Sequence, residues 1–458
     1  MRGFRSRARA TAWGAALSAS FLIGVAGTRA QTFRTSTAGL NVGRFILYPS
    51  VTFEFTQDSN VLFASSENPD LGPIDSGILV VQPRITVDLP LGASRVRFSY
   101  APLYRDYTTN SFRQTDPYSH FFDLDGTFRI GPSLSLRITE HFVRGTVELQ
   151  EVDPGREVTF GLVPFTSHEP SLEVNVDVGG RHGFSLIPRL SIVDFKGTGE
   201  AVFFNFRRRG LEGRYNYRLT PQTTLFGLYS FEDTGQNREQ VLFGDVSIAS
   251  RAAGIGARRV INEAVVSEVV VGYRSLEFAD TEGADFAGPT LDLDTVWRPT
   301  DVTRVRLSLL REPFQSFYVN NNYYVSEQAR LTLTRQVGHS TYWQVAGSYF
   351  ENAYSDPLDI STADPDLDPD HDGRIDLFQD RFCDGEDRCP SFGKRRRDRI
   401  VRLEAGIGHR FRQGLRAFLG YNFEGRRSNM EEQSAGEFFD RFRYTVNRFL
   451  FRLQVGWL

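Results

Sequence analysis

The stretch Arg448-Phe-Leu-Phe-Arg-Leu-Gln-Val-Gly-Trp-Leu458 closes the sequence. Phe449, Phe451, Leu453, Val455 and Trp457 alternate with Arg448, Leu450, Arg452, Gln454 and Gly456. Successive side chains of a strand point to opposite faces, so one face here is apolar and the other carries two guanidiniums. Working back along the chain, the same period recurs. Val96, Phe98 and Tyr100 oppose Arg95, Arg97 and Ser99. Leu134, Leu136 and Ile138 oppose Ser135, Arg137 and Thr139. Leu291 and Leu293 oppose Asp292 and Asp294, Leu331 opposes Arg330, and Leu403 opposes Arg402 and Glu404.

A soluble sandwich also alternates. Three features favour a transmembrane barrel instead. Aromatic residues sit at the ends of apolar faces, as in interfacial girdles. Connections alternate short and long: Gly131-Pro-Ser133, Thr220-Pro-Gln-Thr223 and Gly338-His-Ser340 against Asp58–Ser76, Asp280–Gly288 and Asp356–Arg397. Third, the closing stretch resembles the C-terminal recognition strand of outer-membrane barrels, with its aromatic one place before the end.

Composition agrees. Aromatics make up 13% of the 458 residues, with 39 Phe and 17 Tyr, and mean hydropathy is −0.32. No apolar run near ~20 residues follows the N-terminus, which excludes a bundle of membrane helices and leaves a barrel open. Two Cys cannot carry a disulfide scaffold. A net charge of −3 gives no ground for a nucleic-acid partner.

The chain is expected to divide as follows. Arg2, Arg5, Arg7 and Arg9 precede an apolar stretch from Ala12 to Gly27, and Thr28-Arg-Ala30 offers a cleavage site, so residues 1–30 read as a secretory signal peptide. Residues 31–43 form a short periplasmic segment. Residues 44–458 form an all-β, antiparallel, up-and-down barrel of about 18 strands in the bacterial outer membrane, with both termini periplasmic; the strands are expected to begin near Arg44, Gly77, Arg95, Tyr118, Leu134, Pro170, Phe184, Val202, Thr224, Gln240, Val265, Ala287, Arg304, Tyr323, Thr341, Asp398, Leu415 and Arg441. A missed hairpin within Glu148–Ser167 would raise the count to about 20. Apolar parity switches between Val446 and Phe449, which predicts a bulge.

Polar positions then line the lumen, with Arg137, Asp292, Asp294, Arg330, Arg402 and Glu404 as candidates. Basic clusters Arg207-Arg208-Arg209 and Arg395-Arg396-Arg397 fall at outer strand ends. Arginine binds phosphate oxygens well, so an outer rim meeting membrane lipid and lipopolysaccharide is expected, beside the reading of scattered rim charge.

The long extracellular loop, 356–397, carries Asp368-Pro-Asp-His-Asp-Gly-Arg-Ile-Asp376. Asp368, Asp370 and Asp372 supply oxygens at positions 1, 3 and 5 of a calcium loop. Gly373 permits the turn, Arg374 offers its carbonyl at 7, and Asp376 stands at 9. The segment resembles a thrombospondin type 3 calcium repeat, departing at position 12, where Gln379 stands and Asp380 follows one place late. Structural calcium is the expected cofactor, against a simply acidic solvated loop. The oxidising export route supports a bridge between Cys383 and Cys389, against two free thiols.

There is no His-Glu-x-x-His, Gly-x-Ser-x-Gly or phosphate-loop motif, and the chain reads as non-enzymatic. Gly254-Ile-Gly256 and Gly406-Ile-Gly408 lie in strands and lack a third glycine, so close packing or seated aromatic rings explain them.

The opening Gly43–Val61, then Val81-Gln-Pro-Arg-Ile85, Arg97–Tyr107 and the hairpin Phe122–Ile138, resemble the outer-membrane β-barrel porins encoded with exopolysaccharide export systems. That resemblance implies a pore for surface polysaccharide, working with a periplasmic polysaccharide-export partner. The pattern itself fits a general or substrate-selective diffusion porin equally, and a structural or surface-binding barrel acting through its calcium loop is a third reading.

Overall fold

The computed structural model describes residues 39–456, apart from 67–71, 110–116, 148–162, 197–204, 238–245, 280–283, 317–320, 358–393 and positions 263, 413, 431, 435–436 and 440–441. The leader, Trp457 and the calcium motif therefore lie outside the described residues.

The chain forms one up-and-down antiparallel wall. A short β1 (Leu40–Val42) folds back on β2 (Phe45–Asp58). The wall continues through β3 (Ser76–Leu91), β4 (Ser94–Tyr107), β5 (Tyr118–Ile130), β6 (Leu134–Val147), β7 (Val163–His168), β8 (Ser171–Val178) and β9 (His182–Phe195). It runs on through β10 (Asn205–Thr220), β11 (Thr223–Asn237), β12 (Val246–Ile261), β13 (Val265–Ala279), β14 (Phe286–Thr300) and β15 (Thr303–Gln315). β16 (Tyr323–Val337), β17 (Thr341–Pro357), β18 (Arg395–Arg412), β19 (Leu415–Ser428) and β22 (Tyr444–Gly456) complete it. A small hairpin of β20 (Glu432–Ser434) and β21 (Glu437–Phe439) stands apart from the wall.

β22 pairs with β19 on one side and with β2 on the other, from Ser50↔Gly456 to Asp58↔Arg448. The first and last long strands thus close the barrel. Closure leaves no free sheet edge, so the strands' backbone groups are satisfied without water, the condition for strands to cross a bilayer.

β7 and β8 are one stave. Phe142↔His168 and Thr139↔Ser171 belong to the same register against β6, and β9 is paired just as continuously. Pro170 lacks an N–H and interrupts the ladder without shifting it. The wall therefore has 18 staves. The sixth begins at Val163, where the sequence placed it at Pro170.

Short turns at the periplasmic end use glycines with positive φ, as at Gly92 (63°) and Gly338 (63°). Outward faces are apolar: Phe449, Phe451, Leu419, Val401, Tyr273 and Ile255 are exposed to the surroundings of the barrel.

The expected bulge near Val446 is absent. β19 and β22 keep one register from Leu415↔Val455 to Arg426↔Tyr444. Tyr444 and Val446 instead point inward, where they bury against Phe63. Their apolar character reflects packing inside the lumen, which hydropathy alone cannot separate from lipid contact.

Candidate functional site: the lumen

Cross-strand register brings acids and arginines together on the inner wall. Arg137 meets Asp125 at 2.7 Å, Arg189 meets Glu212 at 2.9 Å, and Arg274 meets Glu312 at 2.7 Å. Arg306 meets Asp294 at 2.8 Å and Arg330 meets Glu404 at 2.8 Å. Arg402 engages Glu424 through Nε at 2.7 Å. Of the sequence candidates, Arg137, Asp294, Arg330, Arg402 and Glu404 take part in these pairs, and Asp292 shares the face of Asp294 by strand alternation. Their partners Arg306 and Glu424 become legible only once register is known.

The wall is not uniform from one end to the other. Descending β18 toward the periplasm, side-chain exposure rises from 0% and 1% for Asp398 and Arg426 to 6% and 13% for Glu424 and Arg402. It reaches 20% and 31% for Glu404 and Arg330. At the closing seam, Asp58 and Arg448 (2% and 9%) lie above Glu54 and Arg452 (15% and 21%). On this side the lumen is open toward the periplasm and occluded toward the outside.

Two inturned segments account for part of that occlusion. After β2, Asp58 Oδ1 accepts the Asn60 N–H at 2.8 Å. The Asn60 amide then grips Ala64 twice, donating to its carbonyl at 2.8 Å and accepting its N–H at 2.9 Å. This knot holds Phe63 at a φ of 54°, in the left-handed region that a bulky side chain avoids. Phe63 is 1% exposed, edge-on to Tyr444 at 5.0 Å and beneath the Arg448 guanidinium at 5.1 Å. Burial of the ring offsets the backbone strain.

Between β19 and β22, Phe442 turns inward and lies under Arg396 at 3.6 Å and Arg426 at 5.5 Å. Asp398 lies between both guanidiniums, holding Arg396 at 2.9 Å and also bonding Arg426. Tyr444 Oη donates to Glu424 Oε1 at 2.8 Å, joining this network to the Phe63 cluster. Across the lumen, Val143, Phe165, Val193 and Phe195 form a second inward apolar cluster, backed by Phe121 and Phe206.

The rim clusters divide by parity. Arg207, Arg209, Arg395 and Arg397 face outward, and Arg397 reaches Glu351 at 3.4 Å. Arg208 and Arg396, expected at the outer rim, point into the lumen: Arg208 meets Glu232 at 3.1 Å and Arg396 is buried on Asp398. Strand alternation makes three consecutive arginines on one rim face impossible.

The glycine pairs seat inward rings. A Cβ on Gly256 would fall within the Phe226 ring, one on Gly406 within Phe418 and one on Gly408 within Tyr342. Asp368, Asp370, Asp372, Arg374, Asp376, Asp380, Cys383 and Cys389 lie outside the described residues.

A closed wall, apolar outside and charged inside, defines the class: this is an integral outer-membrane β-barrel of the porin type. A family model described as putative beta-barrel porin 2 matches residues 203–365. No curated protein matches the chain. Among solved structures, the outer membrane protein OpdK from Pseudomonas aeruginosa is similar at 11% identity over 90% of this chain and 99% of that one, with a TM-score of 0.45. OccK2 (OpdF) from Pseudomonas aeruginosa, in complex with glucuronate, is 10% identical over 90% and 98%, with a TM-score of 0.46. The FrpB iron transporter from Neisseria meningitidis is 11% identical over 91% and 82%, with a TM-score of 0.45. Likenesses of this degree carry no substrate across; the barrel is defined by its own strand pairing.

Proposed function

We propose that the protein is a diffusion channel for small hydrophilic solutes. The observation that carries this reading is the gradient of exposure along the inner wall. A polar periplasmic vestibule leads to an outer half narrowed by Phe63, Phe442 and buried ion pairs. A narrowed mouth suits small solutes and not a long polymer. Polysaccharide export with a periplasmic export partner, which the N-terminal resemblance implies, gains no support from the comparisons. Paired wall charges offer many weak contacts and no deep trap, so solutes can enter and leave.

Proteoliposomes of the purified protein test the reading. Swelling in small sugars or amino acids, with exclusion of oligosaccharides, is expected. Impermeable liposomes, together with loss of surface polysaccharide on deletion of the protein, would establish export instead.

Two further roles belong to the same reading. Asp368, Asp370, Asp372, Arg374, Asp376 and Asp380 are proposed to bind calcium at the cell surface, where a weak site is filled. Arg207, Arg209, Arg395 and Arg397 are proposed to meet lipopolysaccharide phosphates at the outer rim, their outward direction supporting that contact.

A further inference from the structure

Higher in the lumen, arginines come with a carboxylate: Arg330 with Glu404, Arg402 with Glu424, Arg452 with Glu54. One pair at the periplasmic end breaks that rule. Arg410 near the foot of β18 and Arg416 at the start of β19 stand directly opposite one another in register. Strand alternation from Arg402 and Glu404, and from Glu424, places both on the inner face. Neither has an acidic partner among the described residues, and each guanidinium repels the other.

The lateral row through this pair holds no acid. It runs from Ser340, whose carbonyl accepts the Arg410 N–H at 2.8 Å, through Arg410 and Arg416 to Gln454, Thr52 and Gln82. The row above holds Tyr342, Gly408 and Phe418. Tyr342 and Phe418 stack at 6.4 Å with planes 23° apart, seated over Gly408 and Gly406. Tyr342 lies within the electrostatic reach of Arg416 and Arg452.

Like charges directly opposed across strands oppose folding, so the pair is a cost without a structural return. Directly opposed side chains start about 5 Å apart at Cβ, close enough for two planar forks to converge on one ion. One carboxylate carries the charge to balance one guanidinium; a dianion with oxygens on several sides balances two, and a phosphate group provides it.

Resting on the diffusion-channel reading, we propose that Arg410 and Arg416 form a phosphate-binding station at the periplasmic end of the lumen, with the Tyr342–Phe418 shelf one row further in against the remainder of a small phosphorylated solute. The station concentrates anions at the wide end of the pore.

The test uses the full-length protein in planar bilayers, with inorganic phosphate as probe at about pH 8, where it is mostly dianionic. Phosphate added on the periplasmic side should interrupt chloride current. Arg410→Gln/Arg416→Gln relieves a repulsion and should insert as well as the wild type. It should weaken the phosphate effect at least about tenfold and shift ion preference toward cations. Phosphorus NMR line broadening with the solubilised barrel gives binding independently of conduction. Phosphate block that persists in the double variant, or equal block by succinate, overturns the station and leaves the channel reading standing. Phosphate binding lost in the variant, from a barrel that passes no current, keeps the station and removes the channel.

Discussion

Asp398 joins two arginines inside the outer half of the barrel. It is fully buried, with Arg396 at 2.9 Å and Arg426 also bonded to it. Replacing it with Asn keeps the shape and removes the charge. Two buried guanidiniums then lose the carboxylate they share, a loss of about 3–5 kcal/mol. The Phe442 ring, 3.6 Å from the Arg396 guanidinium, also loses its fixed neighbour. Glu351 is the control, since it meets Arg397 and Arg399 at 3.4 Å on the outer face, where both arginines are more than half exposed. Glu351→Gln should cost at most about 1 kcal/mol. Urea unfolding of vesicle-inserted barrels, followed by tryptophan fluorescence, measures both. Asp398→Asn should also raise and destabilise the single-channel current as the outer half loosens. Equal stability losses for the two variants, or an Asp398→Asn current indistinguishable from wild type, would refute the view that this network shapes the pore.

Phe451→Arg puts a charge on the lipid face and should cost about 2–4 kcal/mol, cutting outer-membrane yield far below that of Arg452→Phe; equal yields on quantitative blotting would contradict the register. Asn60→Ala removes both side-chain bonds to Ala64, should cost about 1–3 kcal/mol and should free Phe63, read as a larger conductance; an unchanged current would show that the knot does not narrow the pore. Calorimetry on the full-length protein should register millimolar-range calcium binding that Asp370→Ala removes, and the same heat in both proteins would dismiss the loop as a site.

The barrel was legible because lipid outside and water inside impose a two-residue period along most of the chain, with connections that alternate short and long. Starts at Leu134, Val265, Thr341 and Leu415 were readable to the residue, since short turns carrying Gly131-Pro132, Asn262, Gly338 and Gly414 precede them, and Tyr118 and Tyr323 were readable where alternation resumes after longer connections. The sixth start was not, since Pro170 stands inside a stave already paired from Val163. The starts placed at Val202, Gln240 and Arg441 lie outside the described residues. For the lumen, alternation told which residues face inward. It could not tell that Arg402 meets Glu424, because that contact depends on register between two strands. Nor could it show that Phe63 and Tyr444 are apolar for the sake of the interior.

Polymer exclusion from each side of a single channel bears most directly on a pore wide at the periplasmic end and narrowed at the outer end. Neutral polymers of graded size, added to one side at a time, reduce conductance only where they can enter. Polymers applied from the periplasmic side should reduce it up to a distinctly larger size than polymers applied from the extracellular side. The same cut-off from both sides would contradict the narrowed outer half, and a barrel that passes no current at all would contradict the channel.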